Sequence, residues 1–299
     1  MTTINKVALA GKGHLGSAVL DQLLKNGFDV TILSRSTFEA PSRAKVVQVD
    51  YSSVDSLSAA LKGHDAVVST LNAVATLSQK IIIDAAIIAG VKRFIPNEFS
   101  SIGTDPKARD IPVHKNVIEI QDYLKGNGQT GKIEYTIVST GPFLEYALGS
   151  PLFLDFHNRT IDLYGDGNVR VSTTSIAGIG QAIAGALKKP DQTKNRVIHV
   201  HEAVISQNQL LQLAKKAEPT ATWTENKIEP EKALEEATDK FIQSPTDPSS
   251  LVGILKAAIL SGKYDAEYQK TDNEVVGLPF LSDKELERRF LSLLTQKAE

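Results

Sequence analysis

The tightest constraint in this chain lies within its first sixteen residues. A short aliphatic strand, Val7-Ala8-Leu9-Ala10, runs directly into Gly11-Lys12-Gly13-His14-Leu15-Gly16, and an apolar-periodic helix carrying Leu15, Val19, Leu20, Leu23 and Leu24 follows at once. A second strand, Val30-Thr31-Ile32-Leu33, comes after a turn at Asn26-Gly27. A strand, a glycine turn and a helix start in that order form the dinucleotide fingerprint. The glycines allow a tight turn and close approach of backbone to a pyrophosphate, and the helix N-terminus beginning near His14 points free N–H groups and its dipole at the phosphates. Gly11, Lys12, Gly13, His14, Leu15 and Gly16 are therefore candidate cofactor-binding residues.

The end of the second strand bears on which nucleotide is held. An NAD-preferring unit carries Asp or Glu about 20 residues past the glycines, to bond the ribose 2′-OH. Here Ser34-Arg35-Ser36 stands in that place. A guanidinium offers a planar fork of donors to a 2′-phosphate, so Arg35 points to NADP(H). The bland alternative is a solvated Arg35, with Lys12 or Arg43 meeting the phosphate.

The first half alternates strand and helix almost without interruption, which implies an α/β, Rossmann-type doubly wound parallel sheet with ligands beyond the carboxyl ends of its strands. Asp50, Thr70, Leu71, Asn72, Asn97, Thr140 and Phe143 lie at those ends and are cofactor-side candidates. Beyond about residue 145 the rhythm changes. Strands at 160–164 and 169–173 flank Gly165-Asp166-Gly167-Asn168, a hairpin-like turn, and five helices follow. We expect an NADP-binding domain over residues 1–150 and a smaller, mostly helical substrate lobe over 151–299, sharing an interface because no linker separates them.

The 299 residues carry a formal net charge of −2 with scattered Lys and Arg, which gives no reason to expect nucleic acid as a partner. No apolar run approaches the roughly 18 residues of a membrane span, and the N-terminus lacks the build of a signal peptide. A soluble, cytoplasmic protein with no membrane partner is expected. Without cysteine there is no disulfide and no thiolate metal site. His199 and His201 alternate on one strand face without a carboxylate set beside them, so no metal is expected.

Three stretches carry a resemblance: Ala8-Leu9-Ala10-Gly11 through Leu15-Gly16, Gln79 to Phe99 with its Ala89-Gly90-Val91-Lys92-Arg93-Phe94-Ile95-Pro96-Asn97-Glu98-Phe99, and Tyr135 to Phe143. Together they resemble the isoflavone-reductase-like and NmrA-like branch of the atypical short-chain dehydrogenases. The resemblance implies an NADPH-binding Rossmann domain, a cleft between two lobes, and often reduction of an aromatic or phenylpropanoid-type small molecule. The chain departs from the family pattern in a shorter glycine loop and in Asn97, where the family has Ser.

The family also implies a catalytic lysine on the helix after the Asn97 loop. Matched without gaps, that position falls on Val117, with Lys115 two residues away. Val113, Val117, Ile120 and Leu124 form one apolar stripe, which predicts that Lys115 faces solvent beside Glu119 and Asp122 unless an irregular first turn swings it inward. His114 flanks the stripe and is the other proton-relay candidate, its bland reading being a solvent-facing helix start. Glu98 is expected to hold its loop, and Asp50 to meet the adenine or cap a turn. Phe143, Tyr146, Phe153, Phe156 and Tyr164 line an apolar cleft or pack as plain core.

No Tyr-x-x-x-Lys, G-x-S-x-G or P-loop pattern occurs. Two functions follow. One is an NADPH-dependent oxidoreductase reducing a small, aromatic or conjugated substrate, with proton delivery by Lys115, His114 or water. The other, implied by the NmrA side of the resemblance, is an NADP(H)-binding redox sensor that reports to a protein partner without turnover.

Overall fold

The computed structural model describes residues 3–41 and 43–295. Strand β1 (Lys6–Ala10) leads into α1 (His14–Lys25), β2 (Asp29–Ser34) and β3 (Lys45–Gln48). Then come α2 (Val54–Leu61), β4 (Ala66–Ser69), a 3-10 turn over Ala73–Ser78, α3 (Gln79–Ile88) and β5 (Arg93–Ile95). A 3-10 turn at Pro112–His114 precedes α4 (Lys115–Gln129), β6 (Glu134–Ser139) and α5 (Leu144–Gly149).

Beyond these lie β7 (Thr160–Tyr164), β8 (Val171–Thr173), α6 (Ile176–Lys188), α7 (Pro190–Thr193), β9 (Arg196–His199) and β10 (Ala203–Ile205). The chain continues through α8 (Gln207–Ala217), β11 (Thr224–Ile228), α9 (Pro230–Gln243), α10 (Pro248–Leu260), α11 (Asn273–Val276) and α12 (Asp283–Thr295).

Seven strands form one sheet in the order β3-β2-β1-β4-β5-β6-β9, and every neighbouring pair is parallel. Parallel strands joined by helical crossovers bury both faces, so β1, β4 and β6 are buried along nearly their whole length. One face packs Val19, Leu20 and Leu23 of α1 with Ile179, Ile183 and Leu187 of α6. The other packs Leu57 and Leu61 of α2 with Ile82 and Ile83 of α3 and Ile120 and Leu124 of α4. The order of strands reverses at β1, and the loops after β1 and β4 part there to leave the crevice in which such sheets bind ligands.

The chain returns to this sheet after residue 150. Strand β9 pairs with β6, with Thr136 opposite Arg196 and Ser139 opposite His199, and α6 covers α1. The boundary expected at residue 150 is thus crossed, and the sheet layer also takes in roughly residues 175–200. A third apolar cluster gathers Phe153, Trp223, Ile254, Leu286 and Phe290 into the core of the second lobe.

The hairpin expected around Gly165–Asn168 does not form. The turn is there, with Gly167 N–H donating to Tyr164 O at 2.9 Å, but the strands it joins diverge. β7 pairs in parallel with β11 and β8 pairs antiparallel with β10, so each takes a partner from later in the chain. Among the described residues no helix is long and apolar enough to cross a membrane.

Candidate functional site

The glycine turn is held in shape from below. Gly11 has φ +99°, and a Cβ there would lie 2.9 Å from the Thr70 carbonyl oxygen. A Cβ on Gly16 would sit 2.4 Å from Gly11 O and 2.7 Å from Thr70 Oγ1. Both positions need glycine, one for backbone conformation and one for close approach. Thr70 is buried and its hydroxyl donates to Gly11 O at 2.8 Å, so its role is to fasten the turn. Gly13 differs from the other two. It is exposed, has φ −82°, and open space surrounds a Cβ placed on it. It precedes α1, which begins at His14 as expected and has no side-chain cap, leaving first-turn amides for an anion.

A cavity of about 890 Å³ runs from this turn along the end of β2, walled by Lys12, Arg35, Phe38, Tyr51, Leu71 and Asn72. A second, of about 770 Å³, continues past Arg35 to Asp50 and Tyr51. Arg35 is exposed and its guanidinium has no ion pair or hydrogen bond among the described residues. The Lys12 ammonium lies 4.7 Å from the centre of the Phe38 ring, a cation–π contact that holds it at the cavity mouth.

Asp50 lines the second cavity, but its carboxylate accepts the Ser52 N–H at 2.9 Å and the Ser52 hydroxyl at 2.6 Å. Those bonds keep its pKa below the usual carboxylate range. Asn72 caps the following 3-10 turn by accepting the Ala75 N–H at 3.1 Å. Tyr51 donates to Leu33 O at 2.9 Å, and burial pushes its phenol up to about 12, so it stays neutral. Phe38 and Tyr51 were not singled out in the sequence. The only trace of them there is an aromatic placed a few residues past each strand end.

At the other end of the crevice, Asn97 donates its side-chain N–H to Leu71 O and its backbone N–H to Gln79 Oε1 at 2.7 Å, tying the loop after β5 to the loop after β4. Glu98 is buried, accepting from Ser100 Oγ and from Gln121 Nε2 at 2.8 Å, and burial raises its pKa. It holds its loop against α4, as expected. Thr140 is fully buried and donates to Gly141 O at 3.0 Å, so its hydroxyl lies inside the fold and not on the crevice wall.

Phe143 stacks on Tyr146 with ring centres 5.8 Å apart, and the Tyr146 hydroxyl lies 3.4 Å from His14 Nδ1 across the glycine turn. Of the aromatics expected at a cleft, only these two reach it. Phe153 and Tyr164 are buried in the second lobe, and Phe156 packs between Trp223 and Phe290 at 5.5 and 6.1 Å.

Helix α4 buries Ile120 and Leu124 of its expected stripe and departs from that stripe in its first turns. Pro112–His114 is wound as a 3-10 turn, whose tighter pitch directs the side chains of that turn differently from an α-helix. His114, Ile118 and Gln121 are buried, whereas Val113 and Val117 are only half-buried. His114 therefore does not face solvent. Its Nδ1 lies 3.1 Å from Ala108 O, its Nε2 is buried without a partner, and burial lowers its pKa.

Lys115 is exposed as expected, but it forms no ion pair with Glu119 or Asp122. Those carboxylates belong to Lys80 at 2.5 Å and Arg109 at 2.6 Å. The Lys115 ammonium has no partner among the described residues. His199 Nε2 lies 3.4 Å from Thr104 Oγ1 and His201 Nδ1 lies 2.8 Å from Ser172 Oγ.

Comparisons with known proteins agree with this architecture. The solved isoflavone reductase superposes with a TM-score of 0.78 at 21% identity, covering 97% of this chain and 99% of that one. The leucoanthocyanidin reductase–NADPH complex from Vitis vinifera superposes at 0.75 and 20% identity, covering 97% and 100%. Among curated proteins, the oxidoreductase aprR of Aspergillus flavus is 30% identical over 286 residues, 93% of this chain and 95% of its own. The NmrA-like family model matches residues 5–249. A family match over most of the sequence and a relative 30% identical across 93% of it lead to one assignment: this chain belongs to the NmrA-like family.

Proposed function

We propose that the crevice takes NADPH and that the chain is an NADPH-dependent reductase of a small, aromatic or conjugated substrate, acting in the cytoplasm. The observation that carries this reading is the cavity beside β2, where Arg35 stands in the place of an acid that would select NAD and Lys12 lines the same cavity, neither with a carboxylate partner among the described residues. The relative aprR is named an oxidoreductase, and the leucoanthocyanidin reductase superposed above was solved with NADPH.

The residues fit the nucleotide. Amides from Gly13 to Gly16 meet the pyrophosphate at an uncapped helix start, and Arg35, Lys12, Ser34 and Ser36 receive the 2′-phosphate. Tyr51 and Asp50 border the adenine, while Leu71, Asn72, Asn97 and Phe143 border the nicotinamide half. When bound, NADPH supplies a hydride, and the protein's part is to orient substrate, exclude water and deliver a proton. We assign proton delivery to Lys115, whose flexible stem and unpaired ammonium begin α4. His114 is the alternate, holding a buried, unpaired Nε2.

A second reading is favoured by one observation. Val117, at the position of the family's lysine, is half-buried and carries no proton, which suits a sensor that binds NADP(H) and engages a protein partner without turnover. Titration calorimetry with NADPH, followed by NADPH oxidation against a panel of aromatic enones and quinones, tests both. Binding with oxidation supports the reductase, and tight binding with none supports the sensor. Absence of binding overturns the two together.

A further inference from the structure

Phe38 stands three residues past Arg35 on the wall of the same cavity, with its ring 36% exposed. The loop that carries it is anchored at its base. Ser36 N–H donates to Ser34 Oγ at 3.2 Å, Gln48 Nε2 donates to Arg35 O at 3.0 Å, and Tyr51 donates to Leu33 O at 2.9 Å. The end of β2 is thereby tied to β3 and to the segment after it, which fixes where the loop leaves the sheet. These bonds leave the Arg35 guanidinium and the Ser34 hydroxyl proton available to an anion.

Lys12 reaches Phe38 from the glycine turn. Its backbone is as fixed as the base of the loop: Gly11 before it has φ +99° and fits against the Thr70 carbonyl, and α1 begins two residues after it. The side chain is exposed, and a solvated lysine stem spreads over many rotamers that binding must narrow. Contact of its ammonium with the Phe38 ring, 4.7 Å from the centre, narrows them in advance. The ring takes one side of the ammonium. An ammonium has three donors, so the side turned away from the ring stays open to phosphate oxygens. Among the described residues no carboxylate walls this cavity to neutralise it.

Where that ammonium is held decides which group it serves. A lysine in this turn stands between two anions of a bound dinucleotide, the pyrophosphate over the helix start and the 2′-phosphate at the end of β2. The first is common to NADH and NADPH, and a cation on it strengthens both alike. The second belongs to NADPH alone. Phe38 lies on the loop of Arg35, so its ring holds the ammonium toward the second.

We propose that Phe38 is a positioning residue that sets coenzyme preference: it keeps the Lys12 ammonium on the 2′-phosphate side, where Lys12 acts with Arg35 and not on the pyrophosphate. The inference rests on the NADPH reading and deepens it. Phe38 belongs to none of the three apolar clusters, so replacing it leaves the core intact.

The test is calorimetric titration of the full chain with NADPH, NADH, adenosine 2′,5′-bisphosphate and ADP. Phe38→Leu keeps apolar bulk but removes the π face. It should weaken NADPH and the 2′,5′-bisphosphate about threefold or more, while NADH and ADP stay within about twofold of the parent. Phe38→Tyr, which keeps the face, should bind all four as the parent does. Lys12→Met should weaken NADPH about tenfold. Adding Phe38→Leu to Lys12→Met should change NADPH binding no further, because the two side chains act as one unit.

A loss shared equally by NADPH and NADH would place the ring against the adenine and overturn the proposal. So would a Phe38→Leu loss that persists in Lys12→Met, a Phe38→Tyr protein that behaves like Phe38→Leu, or no loss at all. A parent that gives no heat with NADPH overturns the NADPH reading and this inference with it. A parent that binds NADPH through Arg35 but is indifferent to Phe38→Leu overturns this inference alone.

Discussion

Two alanine substitutions in the glycine turn, three residues apart, should act on different properties. At Gly16 the added methyl meets Gly11 O at 2.4 Å and Thr70 Oγ1 at 2.7 Å, and the first of these is backbone that cannot rotate away. Overpacking of this kind costs about 1–3 kcal/mol, and losing the Thr70 to Gly11 bond adds about 1 kcal/mol. At roughly 2 °C per kcal/mol for a chain of this size, Gly16→Ala should lower Tm by about 4–8 °C. At Gly13 nothing lies within 4 Å of the added methyl and φ is −82°, a value alanine adopts freely. The lost helix-cap preference and the reduced entropy of the unfolded chain oppose each other, leaving stability within about 0.5 kcal/mol of the parent. Yet Gly13 is exposed on the surface where backbone would approach a pyrophosphate. Displacing one charge-assisted contact there should weaken NADPH about tenfold or more. Scanning fluorimetry without ligand and nicotinamide fluorescence titration separate the two. A Gly13→Ala protein that binds NADPH like the parent, or a Gly16→Ala protein with unchanged Tm, would refute this account of the turn.

Three further outcomes are expected. Arg35→Ala should weaken NADPH about tenfold or more and NADH much less, because only the former offers a 2′-phosphate; equal losses in parallel titrations would remove that assignment. Lys115→Met should lower kcat for NADPH oxidation about a hundredfold while leaving the Kd for NADPH in place, and an unchanged kcat would assign the proton elsewhere. Glu98→Gln should stabilise the fold by an amount that grows with pH. The folded-state pKa of Glu98 is raised by burial, so its contribution is fully present below the ordinary carboxylate range and is lost as pH rises through the folded value. A Tm difference between variant and parent that stays constant from pH 5 to pH 8 would show that Glu98 is not the titrating group.

The sheet was readable because its evidence is local. Each β-α step in the first half carries its own apolar period and short connections, and β1 and β2 fall within a residue of where those signals place them. Pairings set by distant chain could not be read this way. Gly165–Asn168 looks like a hairpin because the turn chemistry is real, as the Gly167 to Tyr164 bond confirms. What decides the partner of β7 is β11, some sixty residues later, and nothing near the turn encodes that choice.

The candidate site divides along the same line. Gly11 and Gly16 are legible because a positive φ and a close contact each depend on the identity of one residue. Thr140 was not, because in a strand buried on both faces the side-chain period carries no sign telling which end residue faces the crevice. Helix α4 shows how small a local feature can redirect a functional reading. With three residues of 3-10 winding at Pro112–His114, the start of the helix buries His114 and Ile118 in place of Val113 and Val117, while Ile120 and Leu124 stay buried as the stripe requires. That turn is what buries an imidazole with an unsatisfied nitrogen where a solvated one was expected. It also follows that the residue aligned with a family's lysine need not be the one whose side chain occupies the lysine's place. A change in the phase of the first turn can transfer that place to a neighbour, which is why Lys115, and not a lysine restored at Val117, is the variant to measure first.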